Sequence, residues 1–189
     1  MLNKLFPNVN FEKIQYDKEG LYSITHHNEA DIISEIIINN FNNKENLKIL
    51  DGTGGLGGNT ISFSKFFKNV TSIELDKNRC EMLKNNIKLY NLNNIKIIND
   101  DSIKFLLGNK ENYDIYFFDP PWGGPDYKKI KNLRLKIGNY KLSELSDKIS
   151  LNNKLLVFKL PFNYDFEEFS NFNYKLYKIN KYYIIILLL

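Results

Sequence analysis

Apolar residues recur at Ile32, Ile33, Ile36, Ile37 and Phe41 with the three-and-four spacing of one helical face. The pattern predicts a helix over Asn28 to Phe41 with Asn28 as N-cap. Short apolar runs then alternate with helical stretches. Strands are predicted at Lys48 to Leu50, Val70 to Glu74, Ile95 to Ile98 and Tyr113 to Phe118. Helices are predicted at Asn59 to Phe67, Lys77 to Tyr90 and Ser102 to Leu107. Such alternation implies parallel pairing through right-handed crossovers, hence a sheet covered by helices on both faces. Beyond a long loop, Asp119 to Asn139, the pattern gives a helix at Leu142 to Ile149, a strand at Leu155 to Lys159 and a helical Asp165 to Phe169. It ends in a strand pair, Asn173 to Ile179 and Tyr182 to Leu188, joined by a tight turn at Asn180-Lys181. The stretch Asn3 to Gly20 has no clear period and reads as an extension with one short helix.

A length of 189 residues suits one domain with a real core, and we expect one compact unit. The net charge of +4 comes mostly from lysine, Arg79 and Arg134 being the two arginines. That surplus draws attention to a polyanionic partner, against the plainer reading of a solvated lysine surface. The lone Cys80 has no partner for an internal disulfide, which fits a reducing intracellular compartment, cytoplasmic or nuclear. Met1 to Val9, broken by Pro7, does not read as a signal peptide. The apolar tail Tyr182 to Leu189 falls far short of the roughly 20 residues of a membrane-spanning helix. His26 and His27 have no cysteine or carboxylate cluster beside them, so no metal is expected, and neither is a membrane.

The chemistry begins where the first strand ends, at Asp51-Gly-Thr-Gly-Gly-Leu-Gly-Gly58. Ligands of α/β sheets bind at such strand ends, and glycines there allow positive φ and close backbone approach while a helix N-terminus offers amides. The spacing is not the dinucleotide GxGxxG; S-adenosylmethionine, which has a carboxylate but no pyrophosphate, suits it better. Gly55 and Gly57 are the expected points of approach. Asp51 either attracts the cofactor's ammonium group or holds the loop through backbone amides. Glu74 ends the second strand, where a carboxylate accepts from ribose hydroxyls. After the third strand we favour Asp101 over Asp100 as acceptor for the adenine amino group, with Asp100 as its solvated neighbour.

The fourth strand closes on Asp119-Pro120-Pro121-Trp122. An exocyclic amine has its lone pair delocalised into its ring, so it needs acceptors that rehybridise and aim it. Asp119 and the Pro120 carbonyl supply them, the paired prolines fix the backbone, and Trp122 offers a plane for a base. The alternative is a strand-ending turn with a core tryptophan. Asp119, Pro120 and Trp122 are the catalytic candidates.

The run Asp119-Pro-Pro-Trp-Gly-Gly-Pro-Asp-Tyr127, with Asp51-xxx-Gly-x-Gly-Gly-Asn-Thr60, resembles the trimethylguanosine synthase family, the cap-specific guanine-N2 methyltransferases. Glu19-Gly-Leu-Tyr-Ser-Ile-Thr25 resembles that family's Gly-Trp-Phe-Ser-Val-Thr segment, and Leu160-Pro-Phe-Asn163 its Leu-Pro-Arg-Asn. The resemblance spans roughly Glu19 to the C-terminus. It implies an α/β, Rossmann-like class I S-adenosylmethionine-dependent methyltransferase: a mostly parallel seven-stranded sheet with an antiparallel C-terminal hairpin and helices on both faces. Residues 1–30 would be a short extension contributing to the active site, and 31–189 the catalytic domain. The implied reaction is methyl transfer to N2 of the 7-methylguanosine cap of RNA, with capped RNA or a cap dinucleotide as partner; independently of the resemblance, a monomer is expected.

By the same resemblance Thr25, Asn59 and Asp119 join the cofactor residues, and Tyr22, Asp119, Pro121, Trp122 and Pro125 line the cap. Asn59 and Thr60 equally read as residues that merely open a helix. Lys128 and Lys129 are candidates for the cap triphosphate, or a solvated loop. Two positions depart from the family: Asp119 stands where it commonly has Ser, and Phe162 where it has Arg. Asp119 in turn resembles the Asp-Pro-Pro-Trp of N6-adenine enzymes, so adenine N6 or an internal guanine in RNA or DNA is the competing substrate. A cap-binding module without catalysis is a third reading.

Overall fold

The computed structural model describes residues 2–108, 111–149 and 154–188. Met1 and Leu189, the outer ends of the terminal segments read above, lie outside the described residues. Two compact units divide the chain, one up to Ser102 and one from Ile103.

The first unit opens with α1 (Leu2–Leu5), a 3-10 turn at Phe11–Lys13 and α2 (Lys18–Ser23). Next come α3 (His27–Ile38), β1 (Lys48–Asp51), α4 (Gly58–Phe66), β2 (Asn69–Glu74), α5 (Lys77–Leu89) and β3 (Ile95–Asn99). β1 and β3 both run parallel to β2, as the alternation predicts. The N-cap of α3 corrects the sequence reading: His26 occupies that position and Asn28 lies inside the first turn. The early chain is also more ordered than its lack of period suggests. Phe6 and Ile14 are buried with Leu56, Ile61, Leu83 and Ile87, so a few well-placed apolar residues dock a polar segment.

The second unit holds α6 (Ser102–Gly108, whose first residue precedes the division), β4 (Ile115–Phe118), β5 (Lys136–Ile137), β6 (Tyr140–Lys141), α7 (Leu142–Lys148), β7 (Leu155–Pro161), β8 (Tyr174–Ile179) and β9 (Tyr182–Leu188). β4 pairs parallel with β7, while β9 runs antiparallel to both β7 and β8. Asn180, at φ 48°, takes the left-handed conformation in the turn between β8 and β9. The loop predicted over Asp119 to Asn139 contains a 3-10 turn at Pro125–Lys129 and the start of the small β5–β6 sheet. Two-residue strands lie below what periodicity resolves. Phe166–Phe169 forms a 3-10 turn in place of the expected helix. Every residue of β4 and β7 is buried, and Phe118, Phe158 and Phe169 stack at centroid spacings of 5.9 Å.

The main sheet has seven strands in the order β3-β2-β1-β4-β7-β9-β8. It is mostly parallel, and β9, the last strand of the chain, runs against both its neighbours, as the C-terminal pattern predicts.

Candidate active site

In the first unit the glycine loop runs from the end of β1 to the start of α4. Asp51 is fully buried; its Oδ1 accepts from the Thr53 amide at 3.1 Å and its Oδ2 from the Thr60 hydroxyl at 2.6 Å. The Thr60 hydroxyl also lies 2.9 Å from Ser72 Oγ on β2. Of the two roles open to Asp51, holding the loop is the one these contacts perform. Glu74 does the same from β2, accepting from the Gly55 amide at 2.8 Å and from the Asp76 amide at 2.9 Å. A carboxylate has about four acceptor sites, so these two bonds leave capacity for a ligand hydroxyl.

The glycines divide into two kinds. A Cβ on Gly54 would lie 2.5 Å from Ser72 Oγ, and one on Gly58 would lie 2.7 Å from the Thr25 carbonyl oxygen. Those two are glycine because protein fills the space. Gly55, at φ 54°, has nothing nearer its Cβ position than the Thr53 carbonyl oxygen at 3.9 Å. It is glycine for its conformation, and its open side is a cradle that a side chain would fill. Gly57, at φ 101°, holds the N-cap position of α4. Beside it Asn59 is 7% exposed, and its buried Oδ1 has no hydrogen-bond partner among the described residues. An orphaned buried acceptor at an open glycine turn fits a ligand that brings its own donor.

The remaining residues expected in this unit are placed unequally. Thr25 is buried against Gly58, whereas Tyr22 is 59% exposed on α2. Asp101 follows β3, and its amide donates to Asp100 Oδ1 at 2.8 Å. Asp100 is partly exposed and accepts from its neighbour's backbone. The sequence reading also missed a clasp. Asp17 Oδ1 accepts from the Gly20 amide at 2.6 Å, and its Oδ2 pairs with Arg79 of α5 at 2.8 Å. Burial raises the Asp17 pKa, but hydrogen bonds from Arg79 and the Gly20 amide, with the Arg79 charge, carry it below the ordinary carboxylate value.

In the second unit Asp119 leaves β4. Its Oδ2 lies 2.6 Å from Lys159 Nζ on β7. Lys159 is 5% exposed, a buried charge matched by a half-buried counter-charge. The register explains the meeting: Phe118 pairs with Phe158, so the next residues of the two parallel strands come side by side. The Lys159 ammonium also lies 5.2 Å from the Trp122 ring centroid and 4.8 Å from that of Tyr182. Trp122 is half-buried, meets Tyr127 edge-on at 5.2 Å, and has a buried Nε1 donor without a partner among the described residues. Pro120 is buried, and Pro121 and Pro125 are exposed. Gly123 and Gly124, at φ 91° and 73°, turn the chain after Trp122 into the 3-10 turn. Asn163 fastens that turn by donating to the carbonyls of Tyr127 at 2.8 Å and Ile130 at 2.7 Å. Lys128 and Lys129 are exposed, Lys129 pairing with Asp126.

Lys159 and the clamping role of Asn163 escaped the sequence reading. A lysine inside the apolar run Leu155 to Leu160 was the available signal, since a charge in a buried strand needs a partner. Among the described residues no group of histidine, cysteine and carboxylate side chains is placed to hold a metal, and no helix is long and apolar enough to cross a membrane.

Sheet order and reversed last strand define a class I S-adenosylmethionine-dependent methyltransferase. A Thermus thermophilus 16S rRNA N2 methyltransferase, solved with AdoMet and guanosine, shares the fold at TM-score 0.65 and 14% identity, over 84% of this chain and 42% of that one. Residues 46–187 match the RNA cap guanine-N2 methyltransferase family, and the chain belongs to that family. An uncharacterized protein of Acanthamoeba polyphaga mimivirus is 37% identical over 94% of this chain and 79% of its own. The trimethylguanosine synthase of Schizosaccharomyces pombe is 34% identical over 61% of this chain and 49% of its own. The chain thus spans about half the length of that synthase.

Proposed function

We propose that this methyltransferase transfers a methyl group to the exocyclic N2 of the 7-methylguanosine cap of RNA. The observation that carries the reading is the Asp119-Pro-Pro-Trp122 segment, a carboxylate and a half-buried indole at one strand end, lying within the family match. Trp122 takes the base on its ring. A 7-methylated guanine is cationic, and stacking on an indole gains about 0.5 to 2 kcal/mol that the neutral base lacks. That is roughly two- to thirtyfold selectivity, so Trp122 shares cap discrimination with other groups. Asp119 and the Pro120 carbonyl accept from the N2 amine and orient its lone pair toward the methyl carbon, and the Asp119 carboxylate takes the proton released as the new C–N bond forms.

In the first unit Gly55, Gly57, Asn59, Glu74 and Asp101 hold S-adenosylmethionine. Thr25 and Asp51 shape the loop, and Tyr22, Pro121 and Pro125 border the base. When bound, the cofactor supplies an electrophilic methyl group, and the carbon–sulfur bond breaks with its electron pair on sulfur.

The test is purified protein with labelled cofactor and a panel of 7-methylguanosine triphosphate, GTP and capped RNA, with chromatography of the products. Methylation of the 7-methylated compounds and not of GTP is expected; equal rates on both would remove the cap assignment. Asp119 itself motivates a second reading, methylation of adenine N6 or of an internal guanine. Mass spectrometry of nucleosides from unfractionated RNA and DNA substrates separates the two, because each reading puts the methyl on a different base.

A further inference from the structure

We propose that Lys159 is a positioning residue for methyl transfer, holding the Asp119 carboxylate and the Trp122 indole in one fixed arrangement. The proposal rests on the reading of those two groups as the ones that touch the base. Its ground is a juxtaposition. One buried ammonium lies 2.6 Å from Asp119 Oδ2 and 5.2 Å from the Trp122 ring, and Tyr182, at 4.8 Å, braces it from β9. Packing alone does not call for a lysine here: the strand around it is Leu155-Leu-Val-Phe-Lys-Leu160, where an aliphatic residue would bury without a counter-charge.

Charge and geometry have two consequences. A carboxylate that only accepts hydrogen bonds swings about its last torsion. Tying Oδ2 to a buried ammonium fixes the plane of the group, and with it the direction from which an amine can donate. The pair is also neutral as a whole. A lone carboxylate beside the indole would bind a cationic base strongly without orienting it, and a lone ammonium would repel it. The paired charges leave the indole to select a cation while the carboxylate aims the amine.

Trp122 is the single tryptophan of the chain, so emission excited at about 295 nm, where indole absorbs and tyrosine scarcely does, reports on this place alone. The experiment compares wild type with Lys159→Met and Lys159→Gln, measuring ligand-free acrylamide quenching of Trp122, cofactor binding by calorimetry, and kcat and KM with 7-methylguanosine triphosphate. Both variants are expected to bind cofactor like wild type, to expose Trp122 to quencher, and to lose kcat on the order of ten- to a hundredfold. Lys159→Gln, which keeps a donor toward Asp119, should retain more kcat than Lys159→Met. It also carries the test should the apolar variant fail to fold. A folded variant with wild-type kcat, or with unchanged quenching, overturns the proposal. Wild type that leaves the cap analogue unmethylated defeats the cap reading instead, and the ligand-free quenching still decides whether Lys159 holds Trp122.

Discussion

The glycine loop of the first unit and the Asp119 to Tyr127 segment of the second both follow a parallel strand, yet they are held by different means. The glycine loop is fixed by near neighbours and by close packing: Asp51 and Thr60 lie at its ends, Glu74 ties its turn to β2, and Gly54 and Gly58 leave no room for a methyl group. The Asp119 segment is fixed by side chains from distant strands, Lys159 from β7, Tyr182 from β9, and Asn163 just beyond β7. The first arrangement resists an added atom at Gly54 and Gly58. The second depends on a balance of charge, and it fails when one member is removed.

The largest effect is expected where that balance is broken. Asp119→Ala leaves the Lys159 ammonium, with a side chain 6% exposed, without its counter-charge. Removing one partner of a buried pair costs about 3 to 5 kcal/mol, chiefly through the charge left behind. Adding Lys159→Met to Asp119→Ala should therefore restore much of the stability and none of the methyl transfer. Urea unfolding of the two single variants and the double variant measures this. A double variant no more stable than Asp119→Ala would show that the charge was not the cause.

The packed loop gives the next two effects. A methyl at Gly58 meets the Thr25 carbonyl at 2.7 Å and Ile24 Cγ1 at 2.8 Å, and backbone must move to relieve it. Overpacking of this kind costs about 1 to 3 kcal/mol. Gly55→Ala meets no close atom and carries only the left-handed strain, about 1 to 2 kcal/mol. Thermal unfolding should rank Gly58→Ala below Gly55→Ala, while calorimetry with S-adenosylmethionine should show the loss of affinity at Gly55→Ala in a protein that still folds. Normal cofactor binding by folded Gly55→Ala would mean that the open side of Gly55 does not face the ligand.

The same contrast explains what the sequence made legible. A glycine loop works through backbone, and backbone requirements are written where they act: Asp51, Gly55, Gly57 and Glu74 could all be picked out from their places at strand ends. The alternation of apolar runs fixed the order of helix and strand for the same local reason. Lys159 was hidden because its meaning depends on which residue of β4 faces it, and pairing register is not a local property. Asn163 belonged to a recognised motif, but its hydrogen bonds reach back to Tyr127 and Ile130, more than thirty positions away in the chain. The Asp17 and Arg79 clasp was missed similarly, its partners standing 62 positions apart.

That clasp supplies the smallest effect, and it sets a pH limit on the packed side of the comparison. Asp17 has its pKa lowered in the folded chain from an ordinary value of 3.8, burial being outweighed by the bonds and charge from Arg79 and by the Gly20 amide. A carboxylate with a depressed folded value adds stability that is present above its unfolded value and is lost as pH falls toward the folded one. The Gly20 amide, which donates to Asp17 Oδ1, should thus lose hydrogen-exchange protection as the pH drops below about 4. Asp17→Asn keeps an acceptor for that amide and removes the titrating charge, so its protection should start lower and vary less over the same range. Glu19, which also pairs with Arg79 at 2.9 Å, is 75% exposed, and solvent screens its share. An acid step of full size in Asp17→Asn would assign the effect to other carboxylates, and the segment ahead of α3 would then be held without that charge, by apolar contacts such as Phe6 and Ile14 and by neutral hydrogen bonds such as those between Gln15 and Asn86.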